Sequence, residues 1–239
     1  MNRTTHSPLS VAAVAAATLT LALGAGAAHA QEETRTVAGG GVLVEGWMGQ
    51  IDAAEAGRGA TIESARLAMD GEALHVTTGP AVAYWSTANT ASGNYTVSAT
   101  FTEPMYMNLN NHPHPYGIFI AGNDMGSDQQ SYLYCAAYGT GTFIVRGFGP
   151  DAFQVNGRRG EANDAVNKAA GPGEPVTQEI AVSVTDDSVS CAINGTVVGT
   201  YPKSELVTEG RLKSTDGMFG VRFAHNTEGL VRDLRVTGM

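Results

Sequence analysis

The residues best suited to chemistry lie in one short polar segment, Tyr106–Tyr116. It contains two imidazoles, His112 and His114, three asparagines, and a tyrosine at each end, Tyr106 and Tyr116. Aromatic faces pack on the C–H surfaces of sugars, and planar polar side chains bind hydroxyl groups, so this composition suits a glycan site. The alternative is a surface loop stiffened by prolines, in which His114 packs on the strand that follows.

The same two histidines also have a spacing that suits a metal ion. Alternate residues of an extended chain share a face, so His112 and His114 would point the same way. Zinc needs at least a third protein ligand. The other histidines beyond the N-terminal segment, His75 and His225, are remote in sequence and lie in strand-like runs. Two imidazoles are too few, and the sequence by itself predicts no zinc site.

A second oxygen-rich segment follows, in which Asp124 and Asp128 are separated by Gly126. Two carboxylates and neighbouring backbone carbonyls could contribute to the six to eight oxygens that calcium prefers. No glutamate closes the segment as in an EF-hand loop. The alternative is an ordinary Asx turn between two strands. Calcium is the one cofactor that the sequence suggests, with Asp124 and Asp128 as its ligands.

Aromatic residues on a neighbouring strand offer a further surface for a sugar. Tyr132, Tyr134 and Tyr138 alternate along one run and therefore share a face, while smaller apolar residues occupy the other face. If the tyrosine face lines a concave sheet, it forms a stacking platform, and Arg146 on the next strand could hydrogen-bond a ligand. If it faces a second sheet, the tyrosines are core residues. Trp85 is either a stacking residue or a core anchor.

No recognised catalytic motif accompanies these residues. The sequence contains no Gly-x-Ser-x-Gly, no catalytic cysteine with a partnered histidine and no glycine-rich phosphate loop of defined spacing. We therefore assign no catalytic residue from the sequence.

The elements that must position these residues are strands. Tyr95–Phe101 alternates apolar and polar residues with the period of a half-buried strand. Ser131–Tyr138 and Thr142–Phe148 flank a Gly-Thr-Gly turn, and Glu179–Tyr201 contains an Asn-Gly pair between alternating residues, a strong hairpin signal. Pro150–Pro175 is polar and glycine-rich, and part of it is expected to be a long loop. Many short strands with frequent turns predict an all-β, two-sheet antiparallel sandwich or jelly roll.

The chain has two cysteines, Cys135 and Cys191. Strand alternation turns both toward the interior, and an even count in an oxidising compartment favours a disulfide. The alternative is two buried thiols on strands too far apart to bond, because the Cα atoms must lie within about 7 Å.

The N-terminus has the pattern of a secretory signal. Arg3 provides a positive charge, an uncharged Ala- and Leu-rich run follows, and Ala28-His29-Ala30 matches a peptidase cleavage site. We interpret residues 1–30 as a signal peptide, 31–46 as a flexible mature N-terminus and 47–239 as the β-sandwich domain. The predicted location is secreted or periplasmic, with no membrane span after cleavage.

The charge of the predicted mature chain argues against some partners. Removing Arg3 leaves 13 basic and 23 acidic residues, a net charge of −10. Phosphate binding needs clustered Lys and Arg, and only three lysines occur, Lys168, Lys203 and Lys213. This composition excludes a nucleic-acid role. It leaves the oligomeric state open.

From about Trp47 to Val236 the order of features resembles exported bacterial domains of the concanavalin A-like lectin/glucanase superfamily, including laminin G-like domains and the 3-keto-disaccharide hydrolase domain. The resemblance implies a jelly roll of two curved sheets, a fold that hosts binders, hydrolases and structural modules alike. It departs from laminarinase-type glucanases, because their Glu-x-Asp-x-x-Glu run is missing. The segments that carry it are His114–Phe119, Gln130–Tyr134, Thr142–Arg146, Ala192–Gly195 and Asp216–Arg222.

These observations favour an exported, non-catalytic recognition domain. Its expected ligand is carbohydrate or cell-envelope glycan, bound on the concave sheet and the 106–116 loop. Two alternatives stay open: a hydrolase acting on a glycoside, with residues such as Asp124, Asp128, His112 and His114 as its ionisable groups, and a structural or adhesion module that binds an envelope protein.

Overall fold

The computed structural model describes residues 1–2 and 34–238. The predicted signal, apart from its first two residues, lies outside this part of the chain. The described ranges contain two four-residue helices, α1 (Ala53–Ala56) and α2 (Lys203–Leu206), and one short 3-10 helix, Ile62–Ser64. The strands are β1 (Gly41–Val42), β2 (Trp47–Ile51), β3 (Ala65–Asp70), β4 (Ala73–Thr78), β5 (Val82–Ala91), β6 (Tyr95–Glu103), β7 (Tyr116–Asn123), β8 (Ser131–Tyr138), β9 (Thr142–Phe148), β10 (Ala152–Gln154), β11 (Glu161–Ala162), β12 (Val176–Val184), β13 (Ser188–Ile193), β14 (Thr196–Pro202), β15 (Gly217–Phe223) and β16 (Glu228–Gly238).

The strands form two large sheets. The back sheet has the order β1-β3-β4-β16-β6-β12-β13-β14, and the front sheet has the order β10-β9-β8-β7-β15-β5-β2, with β11 also paired to β9. The pairings are antiparallel except for the short parallel contact between β1 and β3. The predicted all-β sandwich with a jelly-roll fold is confirmed.

The core lies between the sheets and is built by strand alternation. Val97 and Phe101 of β6 face Ile118 and Ile120 of β7 across an interior from which water is excluded. Cys135 of β8 and Cys191 of β13 lie in the same core and are disulfide-bonded, with Cα atoms 6.1 Å apart. The bond joins the front sheet to the back sheet. The predicted disulfide is confirmed, and the alternative of two free thiols is wrong.

The predicted hairpins form where the turn residues occur. Asn194 and Gly195 both have positive φ, 49° and 79°, which matches the right-handed twist of the flanking strands. In the 150–175 region, by contrast, the expected long loop contains two short strands. Both β10 and β11 pair with β9, so this segment extends the edge of the front sheet.

Residues 34–46 are held against the sandwich rather than extending from it. Leu43 donates its backbone N–H to Leu67, β1 pairs with β3, and the Arg35 N–H bonds the side chain of Asn226 at 3.0 Å. This part of the segment interpreted as a flexible N-terminus therefore has defined contacts. Among the described residues no helix is both long and apolar enough to cross a membrane.

Candidate functional site

The outer face of the front sheet carries a second apolar cluster, separate from the core between the sheets. Alternate residues of β5, β7, β8 and β9 turn away from the back sheet and pack together. Met125, Tyr138, Phe148 and Met218 cover their edges. The buried members are Ala83, Trp85, Phe119, Tyr132, Tyr134, Ala136 and Ile144.

A cleft of about 440 Å³ opens beside this cluster. Its front-sheet walls come from β8, β9, β10 and β15, and its far end is closed by the 112–115 loop and by the segment after β15. A third side is lined by Asp52, which directly precedes α1, and by Glu55, which lies within α1. The cleft thus combines aromatic rings with acidic, basic and imidazole groups.

Arg222 of β15 is the most constrained charged residue of the cleft. Its side chain is only 7% exposed, and its Nη2 donates to Asp52 Oδ2 at 2.6 Å. The guanidinium lies 5.7 Å from the ring centre of Tyr134 and 5.5 Å from that of Phe148. Its Nη1 is buried and has no hydrogen-bond partner among the described residues. Buried guanidinium donors are costly to leave unpaired, so Nη1 is a donor that the described residues leave unsatisfied.

Arg146 of β9 is held in place at the opposite wall. Its Nε donates to Gln154 Oε1 at 2.6 Å, and its Nη2 donates to the Arg158 carbonyl at 2.9 Å. It pairs in register with Tyr134 of β8, as expected for neighbouring strands. The sequence named Tyr134 and Arg146, on neighbouring strands, as candidate ligand residues, and both line the cleft.

The carboxyl group of Glu55 is buried and is bound by backbone. Glu55 is 6% exposed, and its Oε2 accepts the Ala81 N–H at 3.1 Å. Burial raises the pKa of Glu55, with a further increase from Asp52; the Ala81 hydrogen bond and Arg222 act in the opposite direction. The cleft therefore contains two carboxyl groups in different environments, neither of which the sequence identified as a site residue.

Three histidines meet at one end of the cleft. His112 and His114 precede β7, His225 follows β15, and their ligand atoms all lie within 4.8 Å of one another. The two segments are joined because β7 and β15 are antiparallel neighbours, with Tyr116 opposite Phe223. Burial, and next the repulsion from His225 and His112, lower the pKa of His114 to about 3, although contact with the His225 carbonyl opposes this.

Several predicted ligand residues do not reach the cleft. Tyr116 is 1% exposed and stacks between Phe101 and Phe223 in the core. Trp85 and Tyr132 lie on the outer face, as alternation predicts, but each is 1% exposed beneath the cluster. Tyr106 is buried beside Gly139, away from the cleft lining. Of the eight predicted ligand residues, the cleft lining includes His112, His114, Tyr134 and Arg146.

Of the two predicted calcium ligands, Asp124 already has protein partners. The Asp124 carboxylate is ion-paired with Lys213. The backbone carbonyl of Asp124 accepts a hydrogen bond from the Ser127 hydroxyl at 2.8 Å. Asp128 is exposed and lines a separate shallow depression. The Ser127 N–H also donates to the Asp124 carbonyl at 3.2 Å, so the segment forms a backbone turn, and calcium binding there stays a prediction.

Arg222, His225, Asp52 and Glu55 are the site residues that sequence reasoning missed. One signal was available for Arg222, because it alternates with Phe219 and Val221 of the core and so must lie on the outer face. His225 had none, since its partners lie more than a hundred residues earlier.

No family model matches the chain, and no curated protein matches its sequence. Solved structures do match. The carbohydrate binding module CBM66 from Bacillus subtilis superposes with a TM-score of 0.53 over 83% of this chain and 99% of its own, at 9% identity. A protein of unknown function with a galectin-like fold from the same organism gives 0.51 over 80% and 89%, at 13% identity. These matches show the fold alone, a β-sandwich of the galectin-like type.

Proposed function

We propose that this protein is an exported, non-catalytic module that binds carbohydrate or cell-envelope glycan in the cleft on the outer face of the front sheet. The observation that carries the proposal is the buried guanidinium of Arg222, fixed by Asp52 and by two aromatic rings, with Nη1 still without a hydrogen-bond acceptor among the described residues. A sugar hydroxyl or carboxylate would supply this acceptor once a side-chain movement exposes Nη1, which is buried in the cleft.

The rest of the lining suits the same ligand class. Tyr138 and Phe148 present half-buried ring surface, against which the C–H faces of a sugar can pack. Arg146 and Gln154 are prepositioned by their mutual hydrogen bond, so less side-chain entropy is lost when they bind a ligand. An apolar platform with a few fixed polar groups is the usual composition of a small-molecule site.

Export is supported by the N-terminal pattern and by the disulfide. A buried Cys135–Cys191 bond persists in oxidising compartments and is rare in the cytosol. We therefore place the protein in the periplasm or outside the cell, with residues 1–30 removed and the sandwich as the functional domain.

Calorimetric titration tests the proposal, with purified protein and a panel of oligosaccharides, neutral and uronic acid-containing. Arg146→Met removes the guanidinium but keeps most of the apolar stem, and Tyr138→Ala removes ring surface. The matched control is Arg232→Met, because Arg232 is exposed on β16 of the back sheet.

We expect at least one glycan class to bind, with affinity lowered about 10-fold or more by each cleft variant and unchanged by the control. If no glycan binds at millimolar concentration, or if the cleft variants bind as well as the wild type, the cleft is not a glycan site.

One observation favours a hydrolase as the second candidate. Asp52 and Glu55 line the same cleft, and the pKa of Glu55 is raised by burial, a feature of general acids in glycosidases. Chromatography of a bound glycan after long incubation distinguishes the two functions. Product release that Glu55→Gln abolishes, with binding retained, would show that the protein is an enzyme.

A further inference from the structure

We propose that His112, His114 and His225 form a three-imidazole site for a divalent transition-metal ion of the zinc class, at the end of the cleft and with a coordination position open toward it. Nothing in the carbohydrate proposal requires such a site. Hydrogen-bond directions, the rigidity of the two loops and the surroundings of the cluster support the site.

A backbone contact fixes which ring nitrogen of His114 carries the hydrogen atom. Its Nδ1 contacts the backbone carbonyl oxygen of His225. A carbonyl oxygen only accepts, so Nδ1 carries the hydrogen and Nε2 carries a lone pair. A backbone carbonyl that fixes the tautomer in this way is the usual outer partner of a metal-bound histidine.

The same reasoning applies to His112. Its Nδ1 lies 2.7 Å from Asn111 Oδ1, an acceptor, so its lone pair also lies on Nε2. The Nε2 atoms of His112 and His114 are 2.7 Å apart. When both rings are neutral, their Nε2 lone pairs face each other at this distance, an arrangement that a cation between them stabilises.

His225 supplies the third ligand that two histidines alone lack. Its ring centre lies 4.1 Å from that of His114 and 6.2 Å from that of His112. Zinc–nitrogen bonds of 2.0–2.1 Å with tetrahedral angles put ligand atoms about 3.3 Å apart. The His112–His114 pair is closer than this, and the three-atom group spans at most 4.8 Å, so changes of about 1.5 Å or less in the distances between ligand atoms complete the geometry.

The backbone that carries the three rings is fixed before any ion binds. Ala224 donates its N–H to the Pro115 carbonyl at 3.0 Å, and Asn110 Nδ2 donates to the Asn226 carbonyl at 2.9 Å. Both bonds join the loop before β7 to the turn after β15. Such preorganisation lowers the entropic cost of gathering ligands from two distant parts of the chain.

The surroundings leave room for a further ligand and balance two carboxyl groups against two guanidinium groups, those of Arg146 and Arg222. All three histidines line the cleft together with Asp52 and Glu55. A three-histidine site with one open position is the zinc arrangement that accepts water or a substrate oxygen. Arg222 is also present, but its charge is paired with Asp52. The expected fourth ligand is water or an oxygen of a molecule bound in the cleft.

The test is zinc binding by purified protein that carries no affinity tag and has been stripped with a chelator. Calorimetric titration gives affinity and stoichiometry, and Co²⁺ substitution reports coordination through its visible absorption. The variants are His112→Ala and His225→Ala. His112 is exposed, so its replacement should leave folding intact. The control is His75→Ala, because His75 lies on the back sheet bonded to Glu228 at 2.8 Å.

We expect the wild type and the His75 variant to bind one equivalent of zinc. Each cluster variant should lose more than about 100-fold in affinity, beyond the 10- to 100-fold typical of outer partners. Co²⁺ should give the intense bands of a four- or five-coordinate site in the wild type and lose them in both cluster variants.

Either of two results would overturn the inference: no stoichiometric zinc binding by the wild type, or binding that both cluster variants retain. Because the titration contains no glycan, neither result bears on the carbohydrate proposal. A glycan titration repeated with and without zinc then shows whether the two sites act together.

Discussion

Strand β8 supplies alternate residues to both faces of the front sheet, yet the two faces bury different chemistry. Leu133 and Cys135 point to the back sheet and join an apolar interior closed by a disulfide. Tyr132 and Tyr134 point outward and are almost as buried, but beside a charged guanidinium. Burial on the inner face follows from sandwich formation. On the outer face the rings are instead covered by neighbouring side chains of the same sheet, including Phe148 and Met218.

The largest expected effect is on the inner face. Replacing both cysteines, Cys135→Ala with Cys191→Ala, should lower the free energy of unfolding by about 4 kcal/mol, because the bond closes a loop with a sequence separation of 56. Urea denaturation measures this loss. Cleft binding at 25 °C should be unchanged, since neither cysteine faces the cleft. A loss under about 1 kcal/mol would show that the bond adds little to the inner face.

The next effect concerns a polar group on the inner face. Glu103 continues the inward series of β6, and burial raises its pKa to about 7, while the Met107 N–H bond opposes the shift. The unfolded carboxyl ionises near 4.5, so unfolding becomes more favourable as the pH rises from about 4.5 to 7.

Glu103→Gln removes this pH dependence while keeping an acceptor for Met107. The free energy of unfolding of the variant should exceed that of the wild type by up to about 3 kcal/mol at pH 8 and equal it near pH 4. Denaturation at both pH values is the measurement. If the variant and the wild type were equally stable at pH 8, the folded protein would hold Glu103 as a carboxylate without loss of stability, as it holds the charged residues of the outer face.

On the outer face the matching test is Arg222→Met. Removing the guanidinium leaves Asp52 partly buried without its partner and should cost about 2 kcal/mol of stability, less than for a fully buried pair. Combining it with Asp52→Asn should recover at least half of the loss. A double variant as unstable as the sum of both single variants would show that the pair is not coupled.

The fold was predictable because it depends on local patterns. The alternation of Tyr95–Phe101 and the Asn194-Gly195 turn each specify a strand or hairpin without reference to distant residues. The same alternation placed Tyr132 and Tyr134 on one face. It could not say how deeply Trp85 and Tyr132 would lie, since that depends on neighbouring strands that cover them.

The site was only partly predictable because its residues meet through sheet order. His225 lies more than a hundred residues after His112 and His114, but the pairing of β7 with β15 brings all three together at one end of the sheet. Asp52 meets Arg222 across 170 positions. Single-sequence reasoning gives the strands but not which of them are neighbours, so pairs of this kind are found only in the folded molecule.

The smallest effect is expected where the sequence suggested calcium. The Asp124–Lys213 pair lies at the rim of the front sheet, with side chains 57% and 41% exposed. Exposed pairs contribute about 0–1 kcal/mol because water and salt screen them. Asp124→Asn should therefore change stability by less than about 1 kcal/mol, and millimolar calcium should not raise the melting temperature of the wild type. The control is Asp128→Asn, which lacks the lysine partner. If calcium does stabilise the wild type and both variants lose that effect, Asp124 must exchange Lys213 for the ion. The turn would then be a calcium site separate from the cleft.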